Sequence, residues 1–460
     1  MANYLDDTGH RVVLLEPAAP QAGARPAEGR VIARRHRRPD GSCDLDGITV
    51  FLADLYTPPN DPVLAAAHTK HIAITSLADL LLRRAPGPTV GVTGSAGKTT
   101  TTSLLSKILS GINTKVRSST DERFTPSGPA PSMLRTLSTA DGETWHVLEL
   151  TSHHLEHVFT SPDIAVVTNL FPDHQAWHGS YDAYRDAKKR ILQFQRSTDV
   201  AILNYDDREV REHFGAAAVG RSVLFSRTGD LEKGVVVIDG TVTVRTGEAE
   251  HAVCQLDDLH LPAHHLPNAL AAAAAAHSIG VAAHDIGTAL KQFRGLPQRT
   301  HRLGRVRGVE IYDDTTAMSP IKALSGLASF ADDSVVVVCG GAVESRAGEP
   351  RVSSDAEQRD LRRFCTLLAQ KASGAVLFGP GGLLMGELLR DLGLAPTRLT
   401  PAHESDFPAA VQRALTMAEP DGQILVAPVY YNDLSELTPV LTSLVEQPSD
   451  HEQLQAPGTI

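Results

Sequence analysis

Residues Thr89 to Leu109 read TVGVTGSAGKTTTTSLLSKIL: a β-branched run, a glycine-rich turn, then a stretch with Leu104, Leu105, Ile108 and Leu109 at helical spacing. That order suits a phosphate group. Gly94 and Gly97 let the backbone curl so that amides point at phosphate oxygens, and the following helix start adds its partial positive charge. The nucleotide-binding stretch is therefore Gly94, Ser95, Ala96, Gly97, Lys98, Thr99 and Thr100, with Lys98 offsetting the charge of the terminal phosphates and Thr99 offering a hydroxyl to Mg²⁺. The strict eight-residue phosphate-loop pattern is not met, because Val92 stands where its first glycine belongs.

A nucleotide loop alone does not separate a kinase, a motor, a switch or a ligase, so its partners must decide. Glu149 lies in HVLELTSHHLEH, at the end of a strand, where a carboxylate can meet Mg²⁺ beside the phosphates. A further strand exits into TNLFPDHQAWHGSYDAYRDAKKRIL, which carries Asn169, Asp173, His174 and, on a following helix, Lys188.

These residues need a sheet to hold them. Short β-branched runs at Arg11–Glu16, Ile48–Ala53, Thr89–Thr93, Trp145–Leu150 and Ile164–Leu170 alternate with helix-like stretches and predict parallel α/β architecture. The pattern returns at Ser334–Cys339, Ala375–Phe378 and Gln423–Ala427, with an amphipathic stretch at Asp355–Ala372. Between the halves, Gly234–Thr246 predicts a hairpin about Asp239-Gly240, and Leu266–Ala276 is a helix-favouring alanine run. RRAPGP near Arg84 and GLPQRTHR near Gly295 mark two boundaries, giving three domains at residues 1–87, 88–298 and 299–460.

Length agrees: 460 residues exceed what one ordinary core supports. A formal charge of -11 argues against polyanion binding as the main task, so no nucleic-acid partner is expected. The basic run Arg34, Arg35, Arg37 and Arg38 around His36 reads first as a solvated loop and second as a phosphate patch. The four cysteines form no metal-type pair, which fits a reducing cytoplasm, and no apolar run is long enough to cross a bilayer. A cytoplasmic protein with no membrane partner is the expectation, a monomer first with an oligomer left open.

The order of the motifs resembles the Mur ligases, and among them the D-glutamate-adding members. It rests on TGSAGKTTT, LELTSHHLE, TNLFPDH with the lysine of YRDAKKRI, LPAHHLPNALAAAA, FRGLPQR and YDDTTAMSP, and covers most of the chain. The resemblance implies a reduced Rossmann-like N-terminal domain for the acyl substrate, a central phosphate-loop ATPase domain with a mostly parallel sheet, and a Rossmann-like C-terminal α/β domain for the amine. It implies ATP and two Mg²⁺ ions as cofactors. Lys98 would contact the β- and γ-phosphates, Thr99 and Glu149 would hold one Mg²⁺, and His174 and a carbamylated Lys188 the second. Asn268 would lie on the adenine side, Arg299 in the interdomain segment, and Asp314 would reach the nucleotide from the C-terminal domain. The reaction implied is activation of a carboxylate as an acyl phosphate followed by attack of an amine, giving an amide, ADP and phosphate.

The departures fall on substrate recognition. The opening MANYLDDTGHRVVLLEP lacks the glycine turn that receives a UDP diphosphate. DSKATN becomes Asp314-Thr315-Thr316-Ala317-Met318-Ser319, a GGxxK lysine gives way to Gly340-Gly341-Ala342-Val343-Glu344, and SPAxxS becomes Ala427-Pro428-Val429-Tyr430-Tyr431-Asn432. His265 and Gln175-Ala176-Trp177 are milder changes within the central region. The leading expectation is a Mur-type ligase whose small-molecule carboxylate and amine have drifted; authentic addition of D-glutamate to UDP-N-acetylmuramoyl-L-alanine and a noncatalytic nucleotide-binding protein stay open.

Overall fold

A computed structural model describes residues 13–16, 33–36, 38, 42–55, 57–120, 141–341, 355–393, 406–430 and 434–446. The expectations placed on the first twelve residues, Arg37, Ala342, Val343, Glu344, Tyr431 and Asn432 lie outside the described residues. Two compact units emerge, residues 1–259 with 267–293, and residues 260–266 with 294–460.

The first unit opens with two parallel strand pairs, β1 (Val13–Glu16) with β2 (Ala33–His36) and β3 (Val50–Ala53) with β4 (Ala73–Ser76). The backbone of Arg34, Arg35 and His36 is therefore paired in a strand and is not the loop that their charge suggested. A small core of Leu45, Phe51, Ala53, Val63, Leu64, Ala67 and Ile72 holds the second pair.

The main sheet uses β5 (Thr89–Thr93), β6 (Val116–Ser118), β7 (Trp145–Glu149), β8 (Ile164–Val167), β9 (Val200–Asn204), β10 (Arg221–Ser226), β11 (Lys233–Ile238), β12 (Thr241–Thr246) and β13 (Glu250–Gln255). Their spatial order is β13-β12-β11-β10-β9-β8-β5-β7-β6, parallel from β6 to β11 and antiparallel beyond. Every residue of β5, β8 and β9 is buried, as continuous apolar runs in a doubly covered parallel sheet require. Packing is close enough at Gly91 that a Cβ there would meet Pro162 Cγ at 2.8 Å and Leu150 Cδ1 at 2.9 Å. The β11–β12 hairpin turns on Asp239 (φ 46°) and Gly240 (φ 74°), the pair of left-handed residues that a two-residue loop demands.

In the second unit the order is β14-β15-β18-β16-β17, from β14 (His301–Val306), β15 (Val309–Asp313), β16 (Val335–Gly340), β17 (Ala372–Phe378) and β18 (Gln423–Val429). Only β14 runs antiparallel to its neighbour. One face packs against Leu327, Phe364 and Leu368, the other against Phe407, Val411 and Leu441. Both units are thus α/β with mostly parallel sheets, as the alternation of runs predicted.

Candidate functional site

The phosphate loop leaves β5, an interior parallel strand of the main sheet flanked by β7 and β8. The helix Lys98–Gly111 begins at once, with Gly97 as its N-cap at φ 85°. Both loop glycines are required by close approach. A Cβ on Gly94 would sit 1.9 Å from Thr168 Oγ1, and one on Gly97 would sit 2.1 Å from Asn268 Oδ1. Asn268, at the start of the buried helix Leu266–Ile279, therefore stands against the turn into the phosphate-binding helix.

β8 stops at Val167, three residues short of the expected Leu170, because Thr168 and Asn169 bond to the loop as well as to the sheet edge. The Ser95 amide donates to Asn169 O, the Ala96 amide donates to Asn169 Oδ1 at 2.8 Å, and Asn169 Nδ2 donates back to Ala96 O at 3.0 Å. Ser95 Oγ accepts from the Phe171 amide and meets Tyr184 Oη at 2.8 Å. Sequence reading placed Asn169 at the strand exit without a role and passed over Thr168 and Tyr184. For Tyr184 the available signal was its position four residues before Lys188, on the same helix face.

Two of the four expected metal-side residues, Thr99 and Glu149, touch each other. Thr99 Oγ1 donates to Glu149 Oε2 at 2.7 Å, and the Glu149 amide donates to Ser119 Oγ, which fixes the end of β7. A hydroxyl and a carboxylate side by side form a hard-oxygen pair suited to Mg²⁺, which keeps water and phosphate oxygens in its remaining positions. Among the described residues no cluster of three or more His, Cys, Asp or Glu converges. The chemistry of the donor set is that of an open site.

Lys98 Nζ donates to Gly94 O at 3.0 Å and to Ser95 O at 3.3 Å. Lys188, 1% exposed on the helix Tyr181–Gln193, donates to the same Gly94 O at 2.9 Å and lies 4.9 Å over the Tyr184 ring. A long amine buried beneath the phosphate loop fits a structural or modified lysine and not a solvated one. Burial drives the Tyr184 phenol well above its usual range, so it stays protonated and keeps a hydrogen for its network.

His174 has a left-handed backbone (φ 51°), and its amide donates to Asp173 Oδ1. Its ring stands 5.0 Å from that of His153 and 6.3 Å from that of Tyr184. His153 also touches Trp177 and His178. Burial, followed by the neighbouring imidazoles, pushes His153 down to about 3. His154 closes a capping box with Thr151, and burial brings it to about 4. Both rings are neutral at physiological pH.

In the second unit, Asp314 directly follows β15 and its Oδ1 accepts from the Thr300 amide at 2.9 Å. Burial raises Asp314 to about 7. Thr315 donates twice to Asp313, whereas Thr316 Oγ1 donates to Gln298 O at 2.6 Å. Gln298 and Thr300 flank Arg299 with φ of 63° and 48°, a pair of left-handed non-glycine residues that only surrounding contacts can hold. His265 Nε2 lies 3.3 Å from Arg299 O. At the carboxyl edge of this sheet Val429 sits at φ 72°, and Tyr430 packs so close to Gly381 that a Cβ there would lie 2.4 Å from its ring.

A glycine cradle at the carboxyl end of a central parallel strand, backed by a lysine and a hydroxyl–carboxylate pair, defines a phosphate-loop nucleotide-binding α/β protein. Residues 92–276 match the Mur ligase middle domain. Over 398 residues the chain is 32% identical to a UDP-N-acetylmuramoylalanine–D-glutamate ligase of Symbiobacterium thermophilum, covering 85% of this chain and 82% of that protein. A ligase of the same name from Pelotomaculum thermopropionicum is 30% identical over 379 residues, with 80% and 75% covered. The fold is shared with a pseudomurein peptide ligase type C from Methanothermus fervidus, at 16% identity and TM-score 0.59 over 97% and 96% of the two chains. The chain belongs to the Mur ligase family. Its reaction class is accordingly ATP-dependent formation of a C–N amide bond.

Proposed function

We propose that this protein uses ATP and Mg²⁺ to activate a small-molecule carboxylate as an acyl phosphate and joins it to an amine other than D-glutamate. The observation that supports the amine reading is Thr316. It stands where the D-glutamate-adding motif has a lysine, and its hydroxyl is committed to Gln298 O. Asp313 and Asp314 beside it are buried carboxyls, so this edge offers acids and hydroxyls where a dicarboxylate amine needs cations.

In this reading Gly94 to Thr100 receive the phosphates, Thr99 and Glu149 hold one Mg²⁺, and His174 with a carbamylated Lys188 serves a second. Lys98 moves from its carbonyl partners to the transferred phosphoryl group and offsets its charge. Asn268, Arg299 and Asp314 complete nucleotide recognition. The division at residues 87 and 298 assigns the acyl substrate to the N-terminal part and the amine to the C-terminal part. The test is product mass after incubation with ATP, Mg²⁺, a panel of carboxylates that includes UDP-N-acetylmuramoyl-L-alanine, and a panel of amines. The reading expects no D-glutamyl amide and phosphate release with a neutral or cationic amine. Identity of 30 to 32% to D-glutamate ligases over most of the chain favours the second reading, authentic D-glutamate addition, which a D-glutamyl product would establish.

A further inference from the structure

We infer that Thr168 and Asn169 are positioning residues for nucleotide, a clasp that fixes the phosphate loop in its anion-accepting curl before any ligand arrives. This rests on the nucleotide-binding part of the proposed function and not on the identity of the carboxylate or amine. A loop carrying two glycines has many conformations to lose, and any ordering left until binding lowers affinity. Here the ordering is built in. The Thr168 amide donates to Thr93 O, its hydroxyl donates to Ala96 O at 2.7 Å, and Asn169 engages both the amide and the carbonyl of Ala96.

The residue types are specific to the task. Asn169 must accept through Oδ1 and donate through Nδ2 at once, which a carboxamide does and a carboxylate or aliphatic side chain does not. Thr168 Oγ1 fills the space that the missing Cβ of Gly94 leaves. Behind them Asn204 Nδ2 donates to Thr168 O at 2.7 Å, tying the clasp to the end of β9. The amides of Ser95 and Ala96 turn inward to Asn169, which holds the start of the loop in place.

The test measures Mg-ADP affinity of the full chain by calorimetry, together with amide hydrogen exchange. Asn169→Ala and Thr168→Val are expected to weaken Mg-ADP binding about tenfold each, the effect of one or two lost hydrogen bonds. They should speed exchange at the Ala96 amide while leaving β5 amides protected. Thr168→Ser, which keeps the hydroxyl, should stay within about twofold of wild type. Wild-type affinity in Asn169→Ala, or equal affinities in Thr168→Val and Thr168→Ser, would overturn the inference. Should Asn169→Ala fail to fold, the Thr168 pair decides alone. ADP binding is read without carboxylate or amine, so failure of every ligation assay would sink the proposed function and leave this result standing.

Discussion

At the residue scale the account turns on a few side chains around Gly94 O, where Lys98 and Lys188 both donate. Replacing Lys98 with alanine removes the group placed to neutralise the transferred phosphate, and phosphate release should fall by about a hundredfold or more. Lys188→Ala should abolish turnover and be partly rescued by a short carboxylic acid if a carbamate is what serves the metal; an active, unrescued variant would remove that role. Asp314 gives a stability prediction. Its folded value of about 7 exceeds that of the unfolded chain, so the folded state keeps a proton the unfolded state has released, and this group costs stability as pH rises through that window. Asp314→Asn retains the acceptor for the Thr300 amide, so it should gain on wild type by on the order of 2 kcal/mol between pH 5 and 7.5 in urea unfolding. A difference that stays constant with pH would contradict the buried-acid assignment.

At the element scale, much of the sheet framework was legible because buried parallel strands are written as unbroken β-branched runs. Thr89–Thr93 is a strand to the residue, and the hairpin about Asp239-Gly240 forms where its two left-handed residues allow. Strands with exposed or charged residues were not legible: β10 (RSVLFS) and β14 (HRLGRV) carry no such run. Ends were blurred for a physical reason, since Thr168 to Leu170 continue the composition of β8 while the side chains of Thr168 and Asn169 bond to the phosphate loop and the Leu170 amide donates to Asp207. That Thr99 and Glu149 would lie side by side was legible from a glycine loop and a carboxylate at the ends of successive strand-like runs. Thr168 and Tyr184 were not, because they act through contacts that sequence order does not display. The alanine helix supplies a test of packing: Ala271 to Ala276 are fully buried, so Ala273→Leu should overpack the interior and cost about 1–3 kcal/mol in thermal or urea unfolding. Wild-type stability would mean that the helix has room beside it.

At the scale of the whole molecule, stability should depend on pH through its buried imidazoles. Burial holds His264 near 3 and His265 near 4, alongside His153 and His154, and each must take up a proton on unfolding in acid. Groups with lowered values contribute stability above the unfolded histidine value of about 6.5 and lose it as pH falls toward 4, so the nucleotide-free chain should become progressively acid-labile below about pH 6. A flat unfolding free energy between pH 6.5 and 4.5 would contradict it. Among the described residues no helix is long and apolar enough to cross a membrane. The central claim is that this fold couples ATP to amide formation. Its most direct test is a paired measurement of phosphate release and product mass with ATP, Mg²⁺, the carboxylate panel that includes UDP-N-acetylmuramoyl-L-alanine, and the amine panel. The account predicts phosphate and amide in equal amounts with an amine other than D-glutamate, both lost in Lys98→Ala. Phosphate release that continues undiminished in Lys98→Ala, or that proceeds with no amide formed under any pairing, would contradict it.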